Sequence, residues 1–292
     1  NSSNSTESLF TQTFGMIIAK DWPADKADGI SELLTLPGEI YIGEQLSEID
    51  PQKIFTVRHD LKKKLAQKWQ KELEELYLRS QVSGPYRPTP QDMARRRLQN
   101  LALDYLTALG PDGPAAKLCQ QQYKMADNLT NRVAAISGLL ELTPAALPPE
   151  LTDFYHKSET TPLLLDRWFA LQALVQHPET GDRIKGLTRH PAFIRTNPNR
   201  VRSLLATFAL ANQVAFHQKD GSGYRLLSRE ISTLDLTNPQ LAARLAGFMS
   251  RWQRFASPYR ELMQKELQRL AEHPQISKDL GEIVNKSLLT IS

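Results

Sequence analysis

Apolar residues recur every three or four positions over most of this chain, which is the spacing of one face of an α-helix. The clearest stripe predicts one long helix over about 51–78 and consists of Ile54, Val57, Leu61, Leu65, Trp69, Leu73 and Leu76. Shorter stripes predict helices over 89–109, 133–142, 163–175, 201–210, 241–252, 262–270 and 277–288. Residues 39–42 alternate briefly as a strand would, and we interpret them as a turn or a helix start.

Residues that favour helix starts support the same interpretation. A capping side chain accepts a hydrogen bond from a free N–H, and a proline at the first helical position has no N–H to leave unpaired. A capping residue directly precedes proline seven times, at Asp50-Pro51, Thr89-Pro90, Thr143-Pro144, Thr161-Pro162, Asn197-Pro198, Asn238-Pro239 and Ser257-Pro258. These pairs indicate many helices with short connections.

The pattern predicts an all-α fold. Short Ala- and Leu-rich helices bury their apolar faces by stacking, so we expect an irregular α-solenoid, a superhelical array of stacked helix pairs. No strict repeat period is visible. The Gly- and Pro-containing segment 82–88 is the best internal boundary, near residues 80–90, but we treat 1–292 as a single helical domain.

Composition and charge exclude some classes of binding partner. The chain is 40% hydrophobic and 23% charged, which is ordinary for a globular protein, and no apolar run is long enough for a membrane. The net charge is +4, and the basic runs 62–64 and 95–97 lie in helical patterns. We interpret both as solvated helix faces and expect no nucleic-acid partner. The one cysteine, Cys119, suits a reducing compartment and a cytoplasmic location.

Motifs for catalysis and metal binding are absent. None of the six histidines is followed by glutamate, so the zinc-peptidase motif H-E-x-x-H does not occur. No cysteine pair could hold zinc, and no phosphate loop or G-x-S-x-G motif occurs. We therefore expect no catalytic residue, metal ligand or cofactor in this chain, which would not be an enzyme by itself.

Two helix starts carry arginines where the helix dipole disfavours cations. One begins at Asn197-Pro198 and places Arg202 close behind it, and the other begins at Asn238-Pro239. In the second, Gln240 and Arg244 are four residues apart and share one face. A guanidinium beside a helix start suits a carboxylate ligand.

The alternative is that these arginines form ordinary ion pairs with acidic neighbours such as Glu230 or Asp235. A third segment, 216–224, contains Asp-Gly and Gly-Tyr steps and enters the next helix. We interpret it as a structural turn, since its spacing matches no phosphate-binding loop.

Several motifs, in order, resemble one family. They are LTLP at 34–37, RRLQNL at 96–101, ADNLT at 126–130, DRWFALQA at 166–173, HPAF at 190–193, NPNRVRSL at 197–204, AFH at 215–217, DGSGY at 220–224 and NPQ at 238–240. From about residue 30 to its end the chain resembles the C-terminal helical domain of bacterial-type aminopeptidase N, a gluzincin zinc metallopeptidase.

The resemblance implies a role. In that family the zinc site lies in other domains of the same polypeptide, so the catalytic domain is absent here and zinc belongs to the parent enzyme. The helical domain closes the active-site chamber and positions peptide substrates, whose N-terminal residue the catalytic domain hydrolyses. Arg202, Gln240 and Arg244 match positions that line the substrate channel. The expected partners are peptide substrates and the catalytic and β-rich domains. The alternative is a free-standing α-solenoid scaffold that binds a peptide or protein.

Overall fold

A computed structural model describes residues 2–289, except the side chains of residues 2–8 and 24. In this part of the chain the secondary structure is helical. The α-helices are α1 (Ser2–Ala19), α2 (Ala27–Leu34), α3 (Glu39–Glu44), α4 (Pro51–Lys68), α5 (Gln70–Arg79), α6 (Pro90–Thr107), α7 (Ala115–Met125), α8 (Leu129–Leu142), α9 (Pro149–Ser158), α10 (Pro162–Ala173), α11 (Thr180–Leu187), α12 (Pro198–Val201), α13 (Thr207–Ala211), α14 (Ser222–Asp235), α15 (Pro239–Ala246), α16 (Tyr259–Ala271) and α17 (Lys278–Leu288).

Short irregular turns complete this pattern. A π-helical turn spans Arg202–Ala206, and 3₁₀ turns span Ala24–Lys26, Gly247–Met249 and Trp252–Arg254. The described residues contain no strand, and their one extended contact is an isolated parallel bridge between Ile49 and Phe255. The prediction of an all-α chain is confirmed, and residues 39–42 belong to helix α3.

The cap-and-proline pairs locate most of the helix starts that they predict. Five helices (α4, α6, α10, α12 and α15) begin at the proline of such a pair. Asn238 Oδ1, for example, accepts the N–H of Leu241 across 3.1 Å. The Ser257-Pro258 pair precedes a helix that begins one residue later. The Thr143-Pro144 prediction is wrong, because Thr143 instead ends α8 and its N–H bonds back to Leu139 O.

The long helix predicted over 51–78 is broken at Trp69, which separates α4 from α5. Trp69 leaves the helical conformation with φ −121° and ψ 31°. Its indole donates to the backbone oxygen of Thr11 across 3.0 Å. A Cβ placed on Gly15 would lie 2.2 Å from the indole ring, so α1 and this ring approach very closely. Tertiary packing of the ring therefore overrides the continuous apolar stripe.

The helices predicted over 201–210 and 241–252 are also shorter in the structure. The first is divided by the π-helical turn Arg202–Ala206, and the second ends as an α-helix at Ala246. The 3₁₀ turns Gly247–Met249 and Trp252–Arg254 follow. In both places the apolar spacing is preserved while the hydrogen-bonding pattern changes, which spacing alone does not report.

The chain divides into two compact units. Unit 1 consists of Asn1–Pro37 and Val57–Leu151, and unit 2 consists of Gly38–Thr56 and Thr152–Ser292. The boundary expected near residues 80–90 lies inside unit 1. The assignment of 1–292 to a single domain stays a prediction.

Each unit is built from stacked helices. In unit 1, α5 packs on α6 and α7 packs on α8, and α6 also packs on α2 and α8. In unit 2, α14 packs on α15 and α16 packs on α17, while α15 also packs on α17. Helices that follow one another in sequence are thus neighbours, as in an α-solenoid.

Candidate functional site

The first predicted site residue, Arg202, lies directly after a capped helix start in unit 2. Asn197 Oδ1 accepts the N–H groups of Asn199 at 3.0 Å and Arg200 at 3.3 Å. This cap begins α12, and the backbone then widens into the π-helical turn that starts at Arg202. π-Helical turns are rare and occur often at functional sites. Arg202 is exposed, and its Nη1 donates to Asn199 Oδ1 across 3.3 Å.

Arg200, two residues earlier, points the other way. It is 2% exposed and pairs through Nε with Asp166 Oδ1 at 2.5 Å. Its Nη1 donates to the backbone oxygen of Ala192, and its guanidinium lies 5.1 Å from the centre of the Phe169 ring. Arg200 therefore anchors the segment in the core, and this anchor helps to hold Arg202 at the surface.

The other two predicted site residues lie on α15. Gln240 and Arg244 are both exposed, whereas the next residue after each, Leu241 and Leu245, is buried. Within residues 2–289, neither Gln240 nor Arg244 has a side-chain hydrogen bond or ion pair, so the guanidinium and amide groups are available to a ligand.

Among the described residues, the three predicted site residues are not joined by hydrogen bonds or ion pairs. The π-helical turn with Arg202 packs on α10, α12 and α13, whereas α15 packs mainly on α14 and α17. No hydrogen bond or ion pair within the described residues connects Arg202 to Gln240 or Arg244. The assignment of the three residues to one substrate channel stays a prediction.

The alternative explanation, an ordinary ion pair, holds for Arg200, which pairs with Asp166, but not for Arg202 or Arg244. Glu230 Oε2 accepts from Arg195 Nη2 at 2.9 Å. Asp235 accepts both the N–H of Ser277, at 2.8 Å, and its hydroxyl. The two carboxylates suggested as partners thus accept hydrogen bonds from other groups. Arg202 and Arg244 remain without an acidic partner in the described chain.

The segment 216–224 is a structural turn, as interpreted from the sequence. Gly221 has φ 74°, in the left-handed region that favours glycine, and Asp220 Oδ1 accepts the N–H of Ser222 at 2.8 Å. A Cβ on Gly223 would lie 2.2 Å from the backbone oxygen of Phe216. The glycines thus allow the chain to reverse closely and start α14.

His217, in the same segment, is enclosed by aromatic rings. Its Nδ1 lies 2.7 Å from the hydroxyl of Tyr224, and its ring stacks on Phe255 with centroids 5.4 Å apart. Burial lowers the pKa of His217 to about 3, because the charged imidazolium would lose its hydration. The imidazole is therefore neutral at pH 7 and packs as a polar core residue.

The two basic runs are only partly solvated, which corrects the interpretation from sequence. Lys62 is 6% exposed and pairs with Asp104 at 2.9 Å and Glu141 at 3.2 Å. Arg96 is 3% exposed and borders a cavity of unit 1. One signal was present in the sequence: Arg96, Gln99, Leu103 and Leu106 follow helical spacing, and all four are buried.

The histidines of this chain do not fit a zinc site. Within the described residues, no group of three or more His, Cys, Asp or Glu side chains is arranged to hold a metal ion. His190 accepts the N–H of Ala192 through Nδ1 and packs between Trp168 and Tyr155. Burial and the charge of Arg200 lower its pKa. Among the same residues, no helix has both the length and the apolar character to cross a bilayer.

The comparisons with known proteins agree with the helical fold. The family model described as "Domain of unknown function (DUF3458_C) ARM repeats" matches residues 1–289. A solved structure of Legionella pneumophila aminopeptidase A in complex with aspartic acid superimposes with a TM-score of 0.86 at 27% identity. The superposition covers 95% of this chain and 33% of that protein.

Similar sequences are aminopeptidases N from bacteria. Those of Haemophilus influenzae and Escherichia coli K12 are 37% and 36% identical to this chain. The one from Caulobacter vibrioides is 33% identical. Each match covers 88% of this chain, but only 29–30% of the relative. The chain therefore belongs to the DUF3458_C family of armadillo-repeat domains and is related to one helical part, the C-terminal domain, of bacterial-type aminopeptidase N.

Proposed function

We propose that this chain is the non-catalytic helical domain of a zinc aminopeptidase, which closes the active-site chamber and positions peptide substrates. The similarity to aminopeptidases N over 88% of the chain supports this assignment. The chain spans only 29% of that relative, and the side chains that the structure describes include no group arranged to hold a metal ion. In this proposal the zinc and the hydrolysis of the N-terminal residue belong to the rest of the polypeptide.

The positioning role rests on two exposed side chains of α15, Gln240 and Arg244, which have no hydrogen-bond or ion-pair partner among the described residues. A guanidinium within two turns of a helix start, without a carboxylate partner in the described chain, can donate hydrogen bonds to a substrate carboxylate. The amide of Gln240, one turn earlier, can bond to a peptide group of the same ligand. Arg202 offers a second exposed guanidinium in unit 2.

The size of this contribution fits positioning rather than catalysis. A charged hydrogen bond contributes about 1.5–3 kcal/mol. That amount changes the affinity for a peptide by roughly tenfold or more, but it is far below the free energy that an enzyme supplies to a reaction. Such contacts act by holding the scissile bond in register with the catalytic groups.

The test uses the complete parent polypeptide. Arg244→Ala should raise KM for peptides by about tenfold while leaving KM for an alanyl-arylamide, which has no distal carboxylate, nearly unchanged. Arg189→Ala is the matched control, since Arg189 is exposed, lies in unit 2 and has no acidic partner among the described residues. Equal effects of Arg244→Ala on both substrates would contradict the carboxylate-binding role.

The second candidate is a free-standing α-solenoid scaffold. An apolar groove in unit 2 favours it: Ile40, Ile54, Phe248 and Phe255 line a space of about 200 Å³. Purified chain with added zinc and an alanyl-arylamide tests the leading proposal, which requires that no hydrolysis occurs. Capture of a folded partner on the groove by the chain alone, with no related catalytic polypeptide in the cell, would favour the scaffold.

A reducing, cytoplasmic location is part of the proposal. Cys119 is fully buried, and a Cβ on Gly138 would lie 2.6 Å from its sulfur. Burial raises the pKa of this thiol to about 12, so it is an inert packing group. Fractionation of the native host, with the protein in the soluble cytoplasmic fraction, is the test.

A further inference from the structure

Unit 1 contains a polar cavity that the positioning role does not use. Its volume is about 630 Å³, within the range of small-molecule sites. It lies between the loop that follows α5, the middle of α6, the end of α7 and the start of α8. Its wall includes Tyr86, Arg96, Gln99, Gln122, Asp127 and Asn131.

Arg96 is the unusual member of this wall. It is 3% exposed, yet no carboxylate in the described chain pairs with it. Its Nη2 donates to the backbone oxygen of Arg87 at 3.0 Å, and its guanidinium lies over the Tyr86 ring at 4.8 Å. Within the described residues, neither Nε nor Nη1 has a hydrogen-bond acceptor. A buried cation without an opposite charge is costly unless a ligand or ordered water satisfies it.

The nearest acidic group on the same helix is already occupied. Asp92 is buried on α6 and accepts from Arg87 Nε at 2.8 Å. The chain thus pairs the more exposed Arg87 with the buried carboxylate and leaves the buried Arg96 without one. Among the described residues, Arg96 is therefore left with neutral partners, the Arg87 carbonyl and the Tyr86 ring.

A second feature of the wall also favours an anion. The N-terminal turn of α8, a helix of 14 residues, borders the cavity through Asn128 and Asn131. Asn128 Oδ1 accepts the N–H of Asn131 at 2.9 Å. The N–H groups of Leu129 and Thr130 remain without an acceptor inside the helix. Helix starts of this kind bind carboxylates and phosphates.

The amide side chains of the wall are held in place by one another. Gln99 Nε2 donates to Gln122 Oε1 at 2.9 Å in the buried wall. Gln122 Nε2 donates in turn to Asn100 Oδ1 at 2.8 Å and to the backbone oxygen of Asn131 at 2.9 Å. A network fixed in this way presents its remaining polar atoms without reorganisation, as binding sites do.

We infer that this cavity binds the carboxylate of a free amino acid or a short peptide, with Arg96 as the principal anion-binding group. The amide wall matches peptide and amino groups, and the exposed carboxylate of Asp127 at the rim suits the ammonium of a zwitterion. A dianionic phosphate would meet repulsion from Asp127, and a single guanidinium would compensate only part of its charge. The inference does not depend on the positioning role of α15.

The test is calorimetric titration of the full 292-residue chain with four probes. Alanyl-alanine and alanine carry the carboxylate, alanyl-alanine amide lacks it, and inorganic phosphate offers a different anion. At least one of the two carboxylate probes should have a dissociation constant about tenfold or more below that of the amide and that of phosphate. Which of the two carboxylate probes binds better distinguishes a peptide from a free amino acid.

Paired variants locate the binding. Arg96→Gln should weaken the binding of the carboxylate probe by about tenfold or more. Arg95→Gln, at the exposed neighbouring position, should leave this binding unchanged. Because Arg96 is buried, a second pair protects the test against misfolding. Gln121 is exposed at the cavity and Gln120 is exposed outside its wall. Gln121→Glu should weaken binding by charge repulsion, and Gln120→Glu should leave it unchanged.

Several results would overturn the inference. They are equal binding of acid and amide, phosphate binding as tightly as the carboxylate probe, no binding of any probe at tens of millimolar, or equal effects within either variant pair. Binding that Arg244→Ala abolishes while Gln121→Glu leaves it intact would place the ligand on α15, and it would overturn the cavity proposal without affecting the positioning role.

Discussion

Arg200 and Asp166 form an ion pair in the core of unit 2, with Nε and Oδ1 2.5 Å apart and side chains 3% and 14% exposed. The pair joins the capped start of α12 to α10. Because both charges have left water, each depends on the other for compensation. The exposed Arg202 follows two residues after Arg200, so this buried pair holds in place the backbone segment that carries the candidate site residue.

Loss of one member of the Arg200–Asp166 pair should destabilise unit 2 strongly. Arg200→Gln leaves a buried carboxylate without its partner, and we expect the free energy of unfolding to fall by about 3–5 kcal/mol. Urea unfolding followed by circular dichroism measures it. Arg202→Gln is the control, since its exposed side chain should change stability by about 0.5 kcal/mol or less. Similar losses in the two variants would contradict the anchoring role.

A methyl group at Gly223 should not be tolerated. The added Cβ would lie 2.2 Å from Phe216 O, and the contacting atom is backbone, which cannot move aside without displacing the turn. We expect Gly223→Ala to lower the free energy of unfolding by about 3 kcal/mol.

Gly186 in α11 is the matched control for Gly223, because a Cβ there meets nothing within 4 Å. Gly186→Ala should leave stability unchanged or raise it by up to about 1 kcal/mol, since alanine favours helices. Thermal denaturation of both variants distinguishes the two environments. A stable Gly223→Ala protein would show that the turn relaxes more easily than its geometry indicates.

His217 should make stability depend on pH in the acidic range. Its pKa is about 3 in the folded chain, against about 6.5 for an unfolded histidine. Between these values the unfolded state binds a proton that the folded state does not. The contribution of His217 is therefore complete above pH 6.5 and is lost as pH falls toward 3, by up to about 1.4 kcal/mol per pH unit.

Comparison of variants isolates the contribution of His217 from that of the carboxyl groups. His217→Gln should remove this slope from the plot of unfolding free energy against pH. Tyr224→Phe removes the hydroxyl 2.7 Å from Nδ1 but keeps the buried ring, so it should lower stability and retain the slope. An unchanged slope in His217→Gln would mean that the imidazole is hydrated in solution.

Lys62 should contribute more to the free energy of unfolding than its exposed neighbour Lys63. Burial alone would lower its pKa, but the charges and hydrogen bonds of Asp104 and Glu141 outweigh burial and raise it. The two carboxylates are 56% and 34% exposed, so water can replace part of the lost interaction. We expect Lys62→Met to cost about 1–3 kcal/mol and Lys63→Met, at an exposed position, to cost about 0.5 kcal/mol or less in urea unfolding.

The sequence by itself determined the helical class and the starts of the helices that begin with a capping residue, such as α6, α12, α15 and α17. A cap is a local device: Ser277 predicted the start of α17, and its hydroxyl accepts the N–H of Leu280 at 3.2 Å. The same local logic located Gln240 and Arg244 on one exposed face of α15. These features depend on residues within about one turn of each other, so a sequence pattern contains them.

Only the tertiary structure decided which polar residues are buried and what pairs with them. Lys62 depends on Glu141, 79 residues away, and Trp69 depends on Thr11, 58 residues away. Arg200 and Arg202 are the same type of residue, yet Arg200 is buried and Arg202 is exposed. Apolar spacing reports the face of a single helix, whereas the burial of a charge depends on a partner that another helix brings to it.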